Sequence, residues 1–305
     1  MHRIAIRVLN NKPTVLLTRE PPATCKHPVG RIAFKPEVLI RPRPGWQPVD
    51  LRELWSFREL LGFLIWRDIK VRYKQTILGG LWAVLQPLVG TLVFGILFTR
   101  VAPIQTPGIP YPLFIYAGLI PWTFFANALT VSSNSLIGSE QMIRKTYLPR
   151  LFLPMGASLG LILDMLINVM LFGLLLAYYR WPITVSICWL PLCMASSILI
   201  ASGLGIILSA LNVYYRDVKY VVPFLTQMAF FLTPIIYPLQ NASDHLRALL
   251  ALNPMAGVEE GFRHALLGSP VSTGLIWAAA AAGLTLFVIG LYVFRRMERA
   301  FADHI

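Results

Sequence analysis

Residues 50–88 read DLRELWSFRELLGFLIWRDIKVRYKQTILGGLWAVLQPL, and this stretch decides the fold. Its first part predicts an amphipathic helix over 50–74. Leu51, Leu54, Trp55, Leu61, Leu64 and Ile65 recur at helical spacing on one side, and Arg52, Ser56, Glu59, Arg67, Lys70 and Lys74 run down the other. Asp50 is placed to cap the helix with Glu53 reaching back, and Val49 and Leu54 to close a hydrophobic staple. Trp and Phe on the apolar face with Lys and Arg opposite suit a helix lying in a membrane interface. The basic run Arg67, Lys70, Arg72, Lys74 then stops, and the 22 residues from Ile77 to Phe98 carry no charge. At about 1.5 Å per residue such a run crosses a hydrocarbon core of about 30 Å. The order is surface helix, basic collar, membrane span. A soluble amphipathic helix beside a buried core helix would read alike here, but five further long apolar runs set that reading aside.

Composition agrees. The 305 residues are 56% hydrophobic and 13% charged, and mean hydropathy is +0.63, which fits an integral membrane protein. A net charge of +13 could suggest nucleic acid, so its distribution matters. Of 27 Lys and Arg, 15 precede the first span, 3 lie in 134–150, 2 in 212–219 and 3 after residue 294. Arg100, Arg180, Arg247 and Arg263 remain for the other side. This positive-inside asymmetry predicts both termini in the cytoplasm and explains the charge without nucleic acid. Cys25, Cys188 and Cys193 make no disulfide framework, and no Cys/His cluster has metal-ligand spacing, so no metal is expected.

Residues 1–49 hold eight prolines and scattered basic residues, with no uninterrupted apolar core of a signal peptide. They predict a Pro-rich cytoplasmic extension, and 50–305 a single transmembrane domain. Spans are expected at about 77–98, 113–131, 151–178, 183–211, 220–237 and 273–294. The fold class predicted is all-α integral membrane, with six transmembrane helices, an N-terminal amphipathic interface helix and short re-entrant outer helices. Gly156 and Gly160 form a small-xxx-small face that permits close packing. Residues 240–272 are too polar to span and too apolar for a plain loop. Within them Asn253 caps and Pro254 opens a helix to about Leu267, stopped by Gly268. Glu259, Glu260, Arg263 and His264 lie on or near it.

No phosphate-cradling G-x-x-x-x-G-K-[ST] motif occurs, so ATP-binding is not expected on this chain. Asp164 stands out as an ionisable group deep inside a predicted span. An intramembrane carboxylate is a functional candidate by default. A helix–helix hydrogen bond, with Asn168 one turn away as companion, is the structural alternative.

Three segments, RDIKVRYKQTILGGLWAVLQPL (67–88), RDVKYVVPFLTQMAFFLTPIIYP (216–238) and LNPMAGVEEGFRHALLG (252–268), resemble one family. It is the permease subunit of ABC-2 type exporters of polysaccharides: O-antigen, capsule and teichoic acid. The resemblance covers about Asp50 to Arg299. It implies a homodimer in the bacterial inner membrane, assembled with two copies of a separate ATPase that carries ATP and Mg, exporting a lipid-linked polysaccharide. Arg67, Lys70, Arg72, Lys74 and Trp66 would then admit substrate, the cations meeting a pyrophosphate linker. Ser139, Glu140, Gln141, Met142, Ile143, Arg144 and Lys145 would form a short helix seated in the ATPase. Asn253, Glu259, Glu260 and Arg263 would belong to an outer gate. Phe94, Phe98, Tyr111, Trp122, Phe124 and Phe125 read either as an interface belt or as the lining of a sugar channel. Two alternatives stay open: an ABC-2 exporter of a small amphiphile or drug, and a membrane-embedded glycolipid transferase. The second would need paired carboxylates or a His base at the membrane surface, and none stands out.

Overall fold

The structure, a computed structural model, describes residues 55–74, 81–101, 106, 108–145, 148–239, 243, 245, 250, 252–298 and 301. The Pro-rich extension, the Asp50 cap and the Val49–Leu54 staple lie outside these residues. The described residues are helical and include no strand. In order they form α1 (Arg58–Lys74), α2 (Leu81–Ile96, continued by a π-helical turn Leu97–Val101), α3 (Tyr111–Gly138) and α4 (Glu140–Lys145). Then come α5 (Phe152–Leu159), α6 (Ile162–Tyr178), a 3-10 turn (Val185–Trp189), α7 (Leu190–Tyr214), α8 (Val218–Leu232), α9 (Pro254–Leu267) and α10 (Thr273–Met297).

Among the described residues, five helical segments are long and apolar enough to cross a membrane: 81–101, 111–138, 152–178, 185–214 and 273–297. The fifth predicted span, 220–237, is shorter than expected. Its helix, α8, has 15 residues, or about 22 Å of rise, against about 30 Å of hydrocarbon. The cause is Pro234. The residue before a proline is driven from the helical region, and Thr233 accordingly adopts φ −99°, ψ 141° while its N–H closes the last turn on Ala229.

The second span is longer than the predicted 113–131. Ser132, Ser133, Asn134 and Ser135 look like a polar ending, yet each side chain finds a carbonyl. Ser132 Oγ donates to Pro154 O (3.0 Å), Ser133 Oγ to Thr130 O (3.0 Å), Asn134 Nδ2 to Thr130 O (2.8 Å) and Ser135 Oγ to Ser132 O (2.7 Å). Satisfied in this way, the polar turn continues the helix. The resulting α3 is the central element: it packs on α2, α5, α6, α7, α8 and α9, and most of Tyr111–Leu136 is buried.

The third span is interrupted after Leu159, where Gly160 N–H bonds Gly156 O (2.9 Å) and Leu161 N–H the nearer Ser158 O (3.1 Å). The small face read from the sequence is where α1 docks on α5. A Cβ on Gly156 would lie 3.4 Å from Leu64 Cβ, and one on Gly160 would lie 3.7 Å from Asp68 Cβ. A tighter contact went unread: α7 and α10 meet backbone to backbone, and a Cβ on Gly290 would fall 2.5 Å from Gly203 O. Without a hydrophobic drive between helices in lipid, such close approach supplies much of their cohesion.

α9 begins and ends as its sequence predicts. Asn253 Oδ1 accepts from Met255 N–H (3.0 Å), Pro254 occupies the first turn, and Gly268 takes φ +71°. Nearly every α9 side chain is buried, against α3, α7 and α10. The companion outer helix expected in 240–252 falls mostly outside the described residues.

Candidate functional site

Charge gathers at two ends of the bundle. At one, α1 lies against α5 with Leu64 1% exposed. Its outer face differs from the sequence reading. Trp55, Phe63 and Trp66 do not share the Leu61–Leu64–Ile65 side: they are exposed, and so are Lys70 and Lys74. The Leu side is taken by the small face of α5, so the aromatics are left outward among the cations, an arrangement suited to headgroup depth.

The collar cations divide by position on this helix. Arg67 bonds Asp68 Oδ1 through Nε (2.9 Å) and Nη2 (2.7 Å), and reaches Met142 Sδ with Nη1 (3.5 Å). Arg72 faces inward: its Nη1 donates to Asp164 Oδ2 on α6 (2.7 Å), while Tyr73 Oη donates to Asp164 Oδ1. Burial first, then the hydrogen bond to Asp164, raises the Tyr73 phenol above its usual range, so it remains a donor. Asp164 is therefore partnered by a cation and a phenol 92 and 91 residues away in the chain. Asn168 contacts it through the backbone: Nδ2 donates to Asp164 O (2.7 Å) and to Ala83 O of α2 (3.2 Å), and Oδ1 accepts from Tyr116 of α3 (3.0 Å).

Ser139 caps the end of α3, and Glu140, Gln141, Met142, Ile143, Arg144 and Lys145 form α4. Glu140 and Arg144 pair at 2.7 Å, half-exposed or more. Between α1 and this corner lies an open cleft of about 370 Å³ lined by Arg67, Ile137, Gly138, Ser139, Glu140, Gln141 and Met142. Interface helix and short polar helix thus share one wall, bridged by Arg67.

At the opposite end, Arg263 is wholly buried. Nη1 donates to Pro234 O (2.7 Å) and Glu260 Oε1 (2.9 Å), Nη2 to Ile235 O (2.6 Å), and the guanidinium lies 3.8 Å from the Phe114 ring centroid. Asn253 Nδ2 donates to Thr233 Oγ1 (3.0 Å), and Tyr111 Oη to Ile236 O (2.9 Å). Asn253, Glu260 and Arg263 therefore converge on the turn that ends α8. Glu259 is fully buried beside them, and among the described residues neither carboxylate oxygen has a hydrogen-bond partner. The cluster needs Gly118: a Cβ there would lie 3.0 Å from Arg263 Nη2 and 3.1 Å from Glu259 Oε2. Pro234 is what frees these carbonyls for Arg263, because a helix ending early leaves acceptors unpaired.

At the α9 end, Tyr111 and Phe114 (6.1 Å) belong to a connected set of rings. Phe94 stacks on Phe98 (6.2 Å), Phe98 meets Tyr111 (5.8 Å), and Trp122 meets Phe125 (5.4 Å). Phe230 of α8, absent from the candidates read in the sequence, links the groups at 5.7 Å from Phe94 and 5.8 Å from Trp122. Tyr111, Trp122, Phe124 and Phe125 are buried within the chain. No group of three His, Cys, Asp or Glu able to hold a metal occurs among the described residues.

A family model described as ABC-2 type transporter matches residues 59–267, from within α1 to the last residue of α9. The chain belongs to the ABC-2 type transporter family. Its similarity to O-antigen export system permease protein RfbA of Klebsiella pneumoniae is 30% identity over 246 residues, 80% of this chain and 94% of that protein. RfbA of Myxococcus xanthus is 31% identical over 246 residues (76% and 94%). Polysialic acid transport protein KpsM of Escherichia coli is 28% identical over 245 residues (78% and 93%). The match takes in both charged ends and the ring set, so these features belong to the membrane domain of an ABC-2 transporter.

Proposed function

We propose that this ABC-2 family member is the permease subunit of an ATP-driven exporter of a lipid-linked polysaccharide. The observation that carries the reading is similarity along almost the whole length of two O-antigen export permease proteins and a polysialic acid transport protein. The protein acts in the bacterial inner membrane with both termini cytoplasmic, as a homodimer with two copies of a separate ATPase that binds ATP and Mg. One protomer's helices are too few to enclose a wide conduit, and two copies form it between them. The charged end carrying α1 faces the cytoplasm. There Trp66, Arg67, Lys70, Arg72 and Lys74 receive the lipid-borne phosphate group. Ser139–Lys145 transmits the ATPase stroke, Arg67 tying that corner to α1. Phe94, Phe98 and Phe230, the half-buried rings, guide the sugar chain, whose flat faces stack on aromatics and whose hydroxyls require few charges, with buried Tyr111 and Trp122 packed behind them. α9, held by Arg263, forms the outer gate. Deletion of the gene in its host should leave polysaccharide inside the cell, restored to the surface by the intact chain. Unchanged surface polysaccharide in the deletion strain would contradict the reading.

A further inference from the structure

Arg72 is the collar cation that the fold turns inward, and what it meets is an acid. Asp164 receives Arg72 on Oδ2 and Tyr73 on Oδ1. It therefore divides its oxygens between two donors and gives neither the two-point grip that a carboxylate can offer a guanidinium. A diphosphate has more oxygens and more charge to offer. The pair is also only partly covered by the chain, with side chains 32% and 16% exposed, whereas Arg263 at the other end is at 0%. Exposed Lys70 and Lys74 stand two positions before and two after Arg72 on the same helix, so the collar around it is positive and draws anions to this end.

We propose that Asp164 is the resident counter-anion of Arg72, holding the guanidinium until a diphosphate headgroup displaces it. The proposal rests on the reading that the collar receives a lipid-linked anionic substrate. Asp164 thus sets a threshold: zwitterionic and weakly anionic lipids fail to displace it, and a diphosphate succeeds. Displacement also has somewhere to go, because the turn that carries Asp164 is tied through Asn168 to Ala83 of α2 and Tyr116 of α3.

The test is binding of a polyprenyl diphosphate to the complete permease–ATPase complex in nanodiscs of zwitterionic phospholipid. Asp164→Asn removes the competing charge and keeps the shape, and affinity should rise about five-fold, the worth of a half-exposed ion pair. Tyr73→Phe leaves Asp164 with its full charge for Arg72, and affinity should fall by about two- to five-fold. Arg72→Gln should abolish both effects. Inorganic diphosphate as competitor separates a free anion from a lipid headgroup. If it gives the same gain in Asp164→Asn, the diphosphate group alone drives the exchange; a gain confined to the lipid form assigns it to the membrane-borne headgroup. Equal affinity in wild type and Asp164→Asn, or shifts of Asp164→Asn and Tyr73→Phe in the same direction, would overturn the proposal and leave the collar reading standing. If neither wild type nor Asp164→Asn binds the lipid, the collar reading falls, and the proposal with it.

Discussion

The two charged ends of the molecule use the same side chains to opposite purpose. At the α1 end, Arg72 and Asp164 meet through a 2.7 Å contact and remain partly exposed. At the α9 end, Arg263 is fully buried, held through Nη1 and Nη2 by two main-chain carbonyls and Glu260 with its Nε left without a partner, and covered by the Phe114 ring. A water-accessible pair contributes little to stability and can be exchanged for another anion. A buried one is costly to break, since removing one partner strands the other in a low-dielectric interior. On the proposal above the first end responds to a ligand, while the second holds a helix in place.

The sharpest way to break this contrast is at Arg263. Arg263→Met should lower stability by about 3–5 kcal/mol, because Glu259, Glu260 and two carbonyls lose their cation together. Thermal unfolding of the purified complex would show it, and a shift under about 1 kcal/mol would mean that the cluster is not a structural clamp. Phe230→Ala comes next. It unlinks Phe94 from Trp122 and should cost about 2 kcal/mol, with export falling more than stability if the rings guide sugar. Export that falls only in proportion to folded protein would reduce the rings to packing. The smallest stability effect is expected where charge is most exposed. Combined Glu140→Ala, Arg144→Ala and Lys145→Ala should change stability by no more than about 0.5 kcal/mol. ATP hydrolysis by the assembled complex should continue while export is lost. Wild-type export in that variant would remove α4 from the energy path.

How much of this was legible in the sequence follows from the range of the interactions. Local signals read through: Asn253, Pro254 and Gly268 fix α9 to the residue because capping acts within a turn. The uncharged runs located five long apolar helices among the described residues because hydropathy is carried along the chain itself, while the fifth predicted span came out short and the second long. Pro234 was visible as a break but its consequence was not, since the span was expected to run on to 237. Partners far apart in the chain could not be read. Nothing near Asp164 announces Arg72 and Tyr73, and nothing near Arg263 announces Phe114 or the carbonyls of 234 and 235. The face of α1 was misread because helical spacing says which residues share a side. It does not say whether α5 or lipid takes the apolar side. Phe230 was missed because rings in membrane spans are common, and only their spacing in three dimensions links this one to Phe94 and Trp122.

The account's central claim is that the α1 end admits an anionic lipid-linked substrate by charge. The most direct measurement is the amount of polysaccharide at the surface and inside cells whose only permease carries Arg67→Gln, Lys70→Gln and Arg72→Gln. Glutamine keeps length and leaves Asp164 a hydrogen-bond donor, while Trp55, Phe63 and Trp66 still anchor the helix. The expected result is normal membrane insertion, normal assembly with the ATPase and polysaccharide accumulating inside. Full surface polysaccharide in that strain would reduce α1 to an anchor and contradict the claim.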